Sequence, residues 1–284
     1  MNRSQRGRRP KKDRHPIDEI LRFQHRWIRE FTEEHPGVWD IIGSDINVIQ
    51  MTQLAVGHQP NLSMIEVHRL HMWQTVLNYQ TQSVILILQH DLNTGLALLR
   101  MAAELSRDVH VIGSADARLS LWMEKNKKRH EYRKTFRFNR SLPQAEIVFG
   151  VYNLCSSFGV HGHVSNSMYS ELAGRAGKDG KFALLDVSEI GILESVGTWL
   201  MGFAPMHHLC AREFFDNRLS NLTEEFSLFR EFEMNSMELV QSYHASLKEL
   251  KQEIKQETAN LSKNGRVVRA KRAQPPPDNS AFGA

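Results

Sequence analysis

The sequence predicts an all-α fold, a multi-helix bundle with a long C-terminal coiled-coil-like helix. Apolar residues recur at three- and four-residue steps through most of the chain, the pattern of helices that bury one face. No two alternating apolar runs flank a hairpin turn, so nothing reads as a strand pair. The chain has 284 residues, 41% hydrophobic and 24% charged, which is enough to bury a large core.

Residues 1–16, MNRSQRGRRPKKDRHP, lack apolar periodicity and are expected to form a disordered basic tail. Ile17, Ile20, Leu21, Trp27, Ile28 and Phe31 then step along a helix. EHPG at 34–37 ends it, because a residue before proline avoids the α region. Residues 38–62 read equally as one helix with a glycine flaw or as two short buried pieces. QPNLS at 59–63 is a turn, and Ser63 with Glu66 makes a capping box for the next helix.

That helix runs from Met64 to about His90. Asp91 to Gly95 is a break or kink, and a second long helix follows over 96–112, rich in Leu and Ala. Joined by so short a link, the two are expected to pack antiparallel. A shorter helix is expected over 115–130, its KNKKRH end matching the negative pole of the macrodipole. Residues 143–160 read as a helix with Pro143 in its first turn. AGRAGKDGK at 173–181 is glycine-rich but lacks the ending of a phosphate-binding loop.

A further helix begins near Ser188 and should be broken or kinked at Pro205. The last begins near residues 221–223. Leu222, Phe226 and Phe229, then Val240, Tyr243, Leu247, Leu250 and Ile254, alternate steps of three and four as a coiled-coil seam does, with an interruption at Glu233 and Ser236. The layout is therefore a basic tail (1–16), one helical domain (17–261) and a basic, proline-rich tail (262–284).

The net charge of +4 hides an asymmetry. The first tail carries +6 and the second +4, which leaves −6 for the body. Arg3, Arg6, Arg8, Arg9, Lys11, Lys12 and Arg14 are thus candidate contacts to nucleic acid. The two cysteines, Cys155 and Cys210, make no disulfide framework and suit a reducing compartment. The N-terminus has no secretory signal, and the most apolar run, SVILIL, is far short of the ~20 residues of a membrane span. The expectation is a cytoplasmic protein, away from the membrane.

The candidate chemistry centres on LCSSFGVHGHVSN at 154–166. His161 and His163 could share a metal ion, with His208 as a further ligand. His207 and His208 point about 100° apart on a helix, so only one of them joins a given site. Ser157 and His161, one turn apart, could act as nucleophile and base, but no GxSxG elbow is present. Arginines a few residues ahead of a histidine (Arg8 and Arg9 before His15, Arg29 before His35) occur no more often than chance.

ALLRMAAELSRDV at 97–109, followed by Ser157, His161 and Gly162, resembles a group of uncharacterised bacterial helical proteins related to the HEPN superfamily. The matching residues are Leu98, Leu99, Arg100, Glu104 and Leu105 on one helix, and Ser157, His161 and Gly162 at the end of a later one. The resemblance implies an all-helical bundle in which Arg100 and Glu104 face His161, with Gly162 as the left-handed cap and His163 more exposed. HEPN ribonucleases carry an arginine ahead of the histidine. Here 154–157 reads Leu-Cys-Ser-Ser, so the expected function is a catalytically degenerate binding protein. Its partner would be a protein or a second copy of itself, with nucleic acid held by the tails and no cofactor. The alternatives are a metal-independent ribonuclease using His161, with Arg100 and Glu104 beside it, and a metal-dependent hydrolase.

Overall fold

The computed structural model describes residues 16–89, 91–139, 143–157 and 189–217, and positions between 227 and 256, chiefly 240–249. Every element among them is a helix: α1 (Pro16–Glu34), α2 (Pro36–Gly57), α3 (Met64–Leu88), α4 (Leu92–Ile112), α5 (Asp116–Met123), α6 (Arg129–Thr135), α7 (Pro143–Cys155) and α8 (Glu189–Asn217). The bundle expected from periodicity is present. The chain divides into two units, Met1–Glu238 and Leu239–Ala284, and all eight helices lie in the first.

The ambiguous stretch after Pro36 is one helix. Pro36 sits in its first turn, where the missing N–H costs nothing. Gly43 is tolerated because Ile42, Ile49 and Val56, seven residues apart, keep one buried stripe across it. The capping box before α3 is formed as expected: Ser63 Oγ accepts from the Glu66 N–H at 3.3 Å, and Glu66 Oε2 accepts from the Ser63 N–H at 2.7 Å. Asp91 caps α4 by accepting from the Thr94 N–H at 3.3 Å.

The expected helix over 115–130 is instead two. α5 stops at Met123, and α6 starts at Arg129 after a run of turns. Glu124, Lys125, Lys127 and Lys128 are exposed or half-exposed. No apolar face spans the junction, so no packing energy holds a continuous helix there.

The core lies where α3, α4, α7 and α8 pack on one another, with α2 against α3. Gly95 lets α4 approach α3. A Cβ there would lie 2.8 Å from Ile87 Cγ1 and 2.9 Å from the Ser83 carbonyl oxygen. Ser83 Oγ donates to the Gly95 carbonyl at 2.7 Å across the same gap. Pro205 lies inside α8 without ending it. Residues 202–207 are all buried, and that packing offsets the ~3 kcal/mol an interior proline costs.

Further along the first unit, Phe229 and Phe232 are buried, and the Phe232 ring stands edge-on to Phe203, centroids 6.1 Å apart. In the second unit the described positions are helical. Leu247 is buried and Val240 and Tyr243 are half-buried, while their described neighbours are exposed. Leu250 and Ile254 of the expected seam lie outside the described residues. No helix among those described is long and apolar enough to cross a membrane.

Candidate functional site

α4 places four charged side chains on neighbouring turns: Arg100, Glu104, Arg107 and Asp108. Arg100 and Glu104, one turn apart, pair as the i,i+4 spacing allows, Nη2 to Oε1 at 3.2 Å. Arg100 also lies over the Tyr152 ring of α7, 5.1 Å from its centroid, and its Nη2 donates to the Tyr152 hydroxyl at 3.4 Å. Its Nε is buried with no hydrogen-bond partner among the described residues. Arg100 and Glu104 thus pair with each other, against α7 near its end at Cys155. His161, His163 and Gly162 lie outside the described residues. Ser157 is exposed.

Two turns on, a second and tighter cluster forms, which sequence reasoning missed. Asp108 is 3% exposed. Its Oδ1 accepts from Arg107 Nε at 2.9 Å and Nη2 at 2.6 Å. Its Oδ2 accepts from Trp122 Nε1 of α5 at 2.9 Å and from the Tyr132 hydroxyl of α6 at 2.7 Å. A buried carboxylate needs its lone pairs met, and four donor contacts meet them. Burial, with the Asp108 carboxylate beside it, pushes the Tyr132 phenol well above its usual range, so it stays a donor. Arg107 also stacks over Phe138, 5.0 Å from its centroid. Sequence offered only the Arg107–Asp108 adjacency; nothing local says that Trp122 and Tyr132 fold back onto it.

Other polar groups are buried in the core. His207 is fully buried; its Nδ1 accepts from Trp73 Nε1 at 2.8 Å, and Phe203 packs edge-on at 4.6 Å. Burial lowers its pKa to about 3, so the ring is neutral. Arg69 is buried between α4 and α8. Its Nε donates to the Val109 carbonyl in the last turn of α4 at 3.2 Å, and its guanidinium covers Phe214 at 4.7 Å. Burial pushes the Cys155 thiol up to about 12 and the Cys210 thiol higher still, so neither supplies a thiolate nucleophile. His208 is half-buried on α8, and no group of three or more His, Cys, Asp or Glu among the described residues could hold a metal ion.

One pocket opens beside this framework, with a volume of about 610 Å³. Its lining includes His110 and Val111 from the end of α4, Arg118 from α5, Thr135 at the end of α6, and Arg137, Phe138 and Asn139 just beyond. The His110 Nδ1 is buried and has no hydrogen-bond partner among the described residues. Burial lowers the His110 pKa, helped by Arg212, Arg69 and His208 nearby, while a hydrogen bond to the Leu209 backbone opposes the shift.

No protein-family model, curated protein or solved structure matches this chain.

Proposed function

We propose that the chain is a HEPN-like helical interaction protein, catalytically degenerate, that works by binding a protein partner or a second copy of itself. The observation that supports this reading is the engagement of Arg100. Stacked on Tyr152 and paired with Glu104, it ties α4 to α7 and sets helix register, a role in which charge serves structure. This reading assigns His161, in the segment after α7, as the third member of the cluster. The partner surface is the C-terminal seam, where Val240, Tyr243 and Leu247 follow the three-four spacing; Leu247 is already covered by this chain, so a partner would meet the half-buried Val240 and Tyr243. The basic N-terminal tail adds a salt-sensitive contact to nucleic acid.

Two variants of the full chain test it. His161→Ala is expected to cost about 1–3 kcal/mol of stability, because it removes a polar partner, with no ribonuclease activity in either protein. Leu247→Lys with Leu250→Lys is expected to lower the mass in light scattering or the melting temperature. If both stay unchanged, the seam is not an interface. One observation favours a second reading, RNA cleavage using His161: Arg100, a candidate neighbour of that histidine, keeps its Nε without a hydrogen-bond partner among the described residues. That reading wins if the wild type cleaves RNA and His161→Ala, equally stable, does not.

A further inference from the structure

We infer that α5 and α6 form a hinged lid on the pocket at the end of α4, and that Asp108 is its latch. The lid is thinly attached. Leu119, Leu121 and Phe136 are the buried apolar side chains between Ser114 and Asn139, and α6 itself buries none. α5 packs chiefly on α4, and α6 chiefly on α5. A segment with so few buried apolar contacts opens at a lower free energy than the core beneath it.

α5 runs back along α4 from a hinge. Gly113, which closes α4, has φ 52° and ψ −131°, a conformation that residues with a Cβ rarely adopt. Beyond it, Arg118 Nη1 donates to the Val111 carbonyl at 2.9 Å. Trp122, one turn on in α5, donates to Asp108, one turn back in α4, at 2.9 Å. The Tyr132 hydroxyl of α6 reaches the same carboxylate oxygen at 2.7 Å, and Phe136 stacks on the Tyr132 ring, centroids 4.8 Å apart. At the far end Phe138 stays with α7, its ring centroid 5.1 Å from those of Phe149 and Tyr152. The moving part therefore runs from Ser114 to Arg137.

Asp108 divides its oxygens between the fixed and the moving parts. Oδ1 holds Arg107 on its own helix, and Oδ2 holds the two donors of the lid. When the lid leaves, the carboxylate keeps its counter-charge through Oδ1, and water takes the place of Trp122 and Tyr132 at Oδ2. Opening thus avoids the largest cost of breaking a buried charged cluster, an ion left unpaired. The same motion opens the pocket. Its lining combines His110 and Val111 of α4, which stay, with Arg118 of α5 and Thr135 of α6, which move. Access to Val111 follows the state of the latch.

Native-state hydrogen exchange of the full chain in rising urea reads the motion. Amides of residues 119–123 and 132–136 should exchange at least ~100-fold faster than the slowest amides of α3 and α8. Their exchange should also depend less on urea, because opening the lid exposes less surface than global unfolding. Tyr132→Phe keeps the ring and removes one donor to the carboxylate, so it should speed exchange in the lid by a further factor of about ten or more. A second readout ties the motion to the pocket. Val111→Cys places a thiol in the lining, and both native cysteines are buried. An aromatic disulfide reagent, without urea, should modify that thiol about tenfold faster when Tyr132→Phe is added. The proposal fails if the lid amides share the exchange free energy and urea slope of α3 and α8. It fails equally if the thiol reacts at the same rate with and without Tyr132→Phe.

Discussion

α4 carries two arginine–carboxylate–tyrosine clusters two turns apart, and they are built to opposite specifications. Around Asp108 the carboxylate is 5% exposed and receives two guanidinium bonds, an indole bond and a phenol bond. Around Glu104 the carboxylate is 38% exposed and receives one guanidinium at 3.2 Å. The two are joined through aromatic rings, since Arg107 covers Phe138, Phe138 touches Tyr152, and Tyr152 lies under Arg100. The same residue types thus make a sealed structural clamp at one end and a half-open pair at the other. What decides is how many donors the rest of the fold delivers. α5 and α6 bring Trp122 and Tyr132 to Asp108, whereas the described residues bring only Arg100 to Glu104.

The comparison breaks most visibly at Asp108. Asp108→Ala leaves Arg107, Trp122 and Tyr132 without their acceptor, so it should cost about 3–5 kcal/mol in urea unfolding. A loss below about 1 kcal/mol would show that the clamp is not a unit.

A carboxyl with no such donors among the described residues sharpens the contrast. Asp45 of α2 sits partly buried, and burial raises its pKa to about 7. In the unfolded chain it ionises near pH 4, so between about pH 4 and pH 7 the folded state holds a proton that the unfolded state releases. Its contribution to stability is therefore full below pH 4 and lost as the pH rises through 7. Asp45→Asn should leave stability near wild type at pH 4 and raise it by about 2 kcal/mol at pH 8, after allowing for partial solvent contact. Equal unfolding curves at pH 8 would refute the assignment.

Tyr152 separates ring from hydroxyl. Tyr152→Phe keeps the stacking surface under Arg100 and should cost under about 0.5 kcal/mol, since the 3.4 Å bond is long. Tyr152→Leu should cost about 1 kcal/mol more, and the reverse ranking in thermal melts would mean that the hydroxyl carries the interaction.

The smallest effect is expected at the open pair. Glu104→Gln should change stability by about 0.5 kcal/mol at low salt and by less in high salt. A change that resists salt would place Glu104 in a buried network like that of Asp108.

The sequence by itself determined where helices begin, which faces they bury and which residues near them can pair. Ser63 with Glu66 marked the start of α3, the proline at 36 marked the break before α2, and the i,i+4 spacing of Arg100 and Glu104 was enough to bring them together. These are local facts, set by backbone geometry within a turn or two. The tertiary structure decided the rest. Pro205 continues inside α8 because buried neighbours on both sides hold it, and the stretch after Met123 breaks because it has nothing to pack on. Asp108 draws its donors from 14 and 24 residues away. The pocket lined by His110, Arg118 and Thr135 exists only because the ends of α4 and α6 and part of α5 meet in space. Periodicity reports which residues leave water, but not which residues they meet when they do, because that choice depends on helix packing over the whole core.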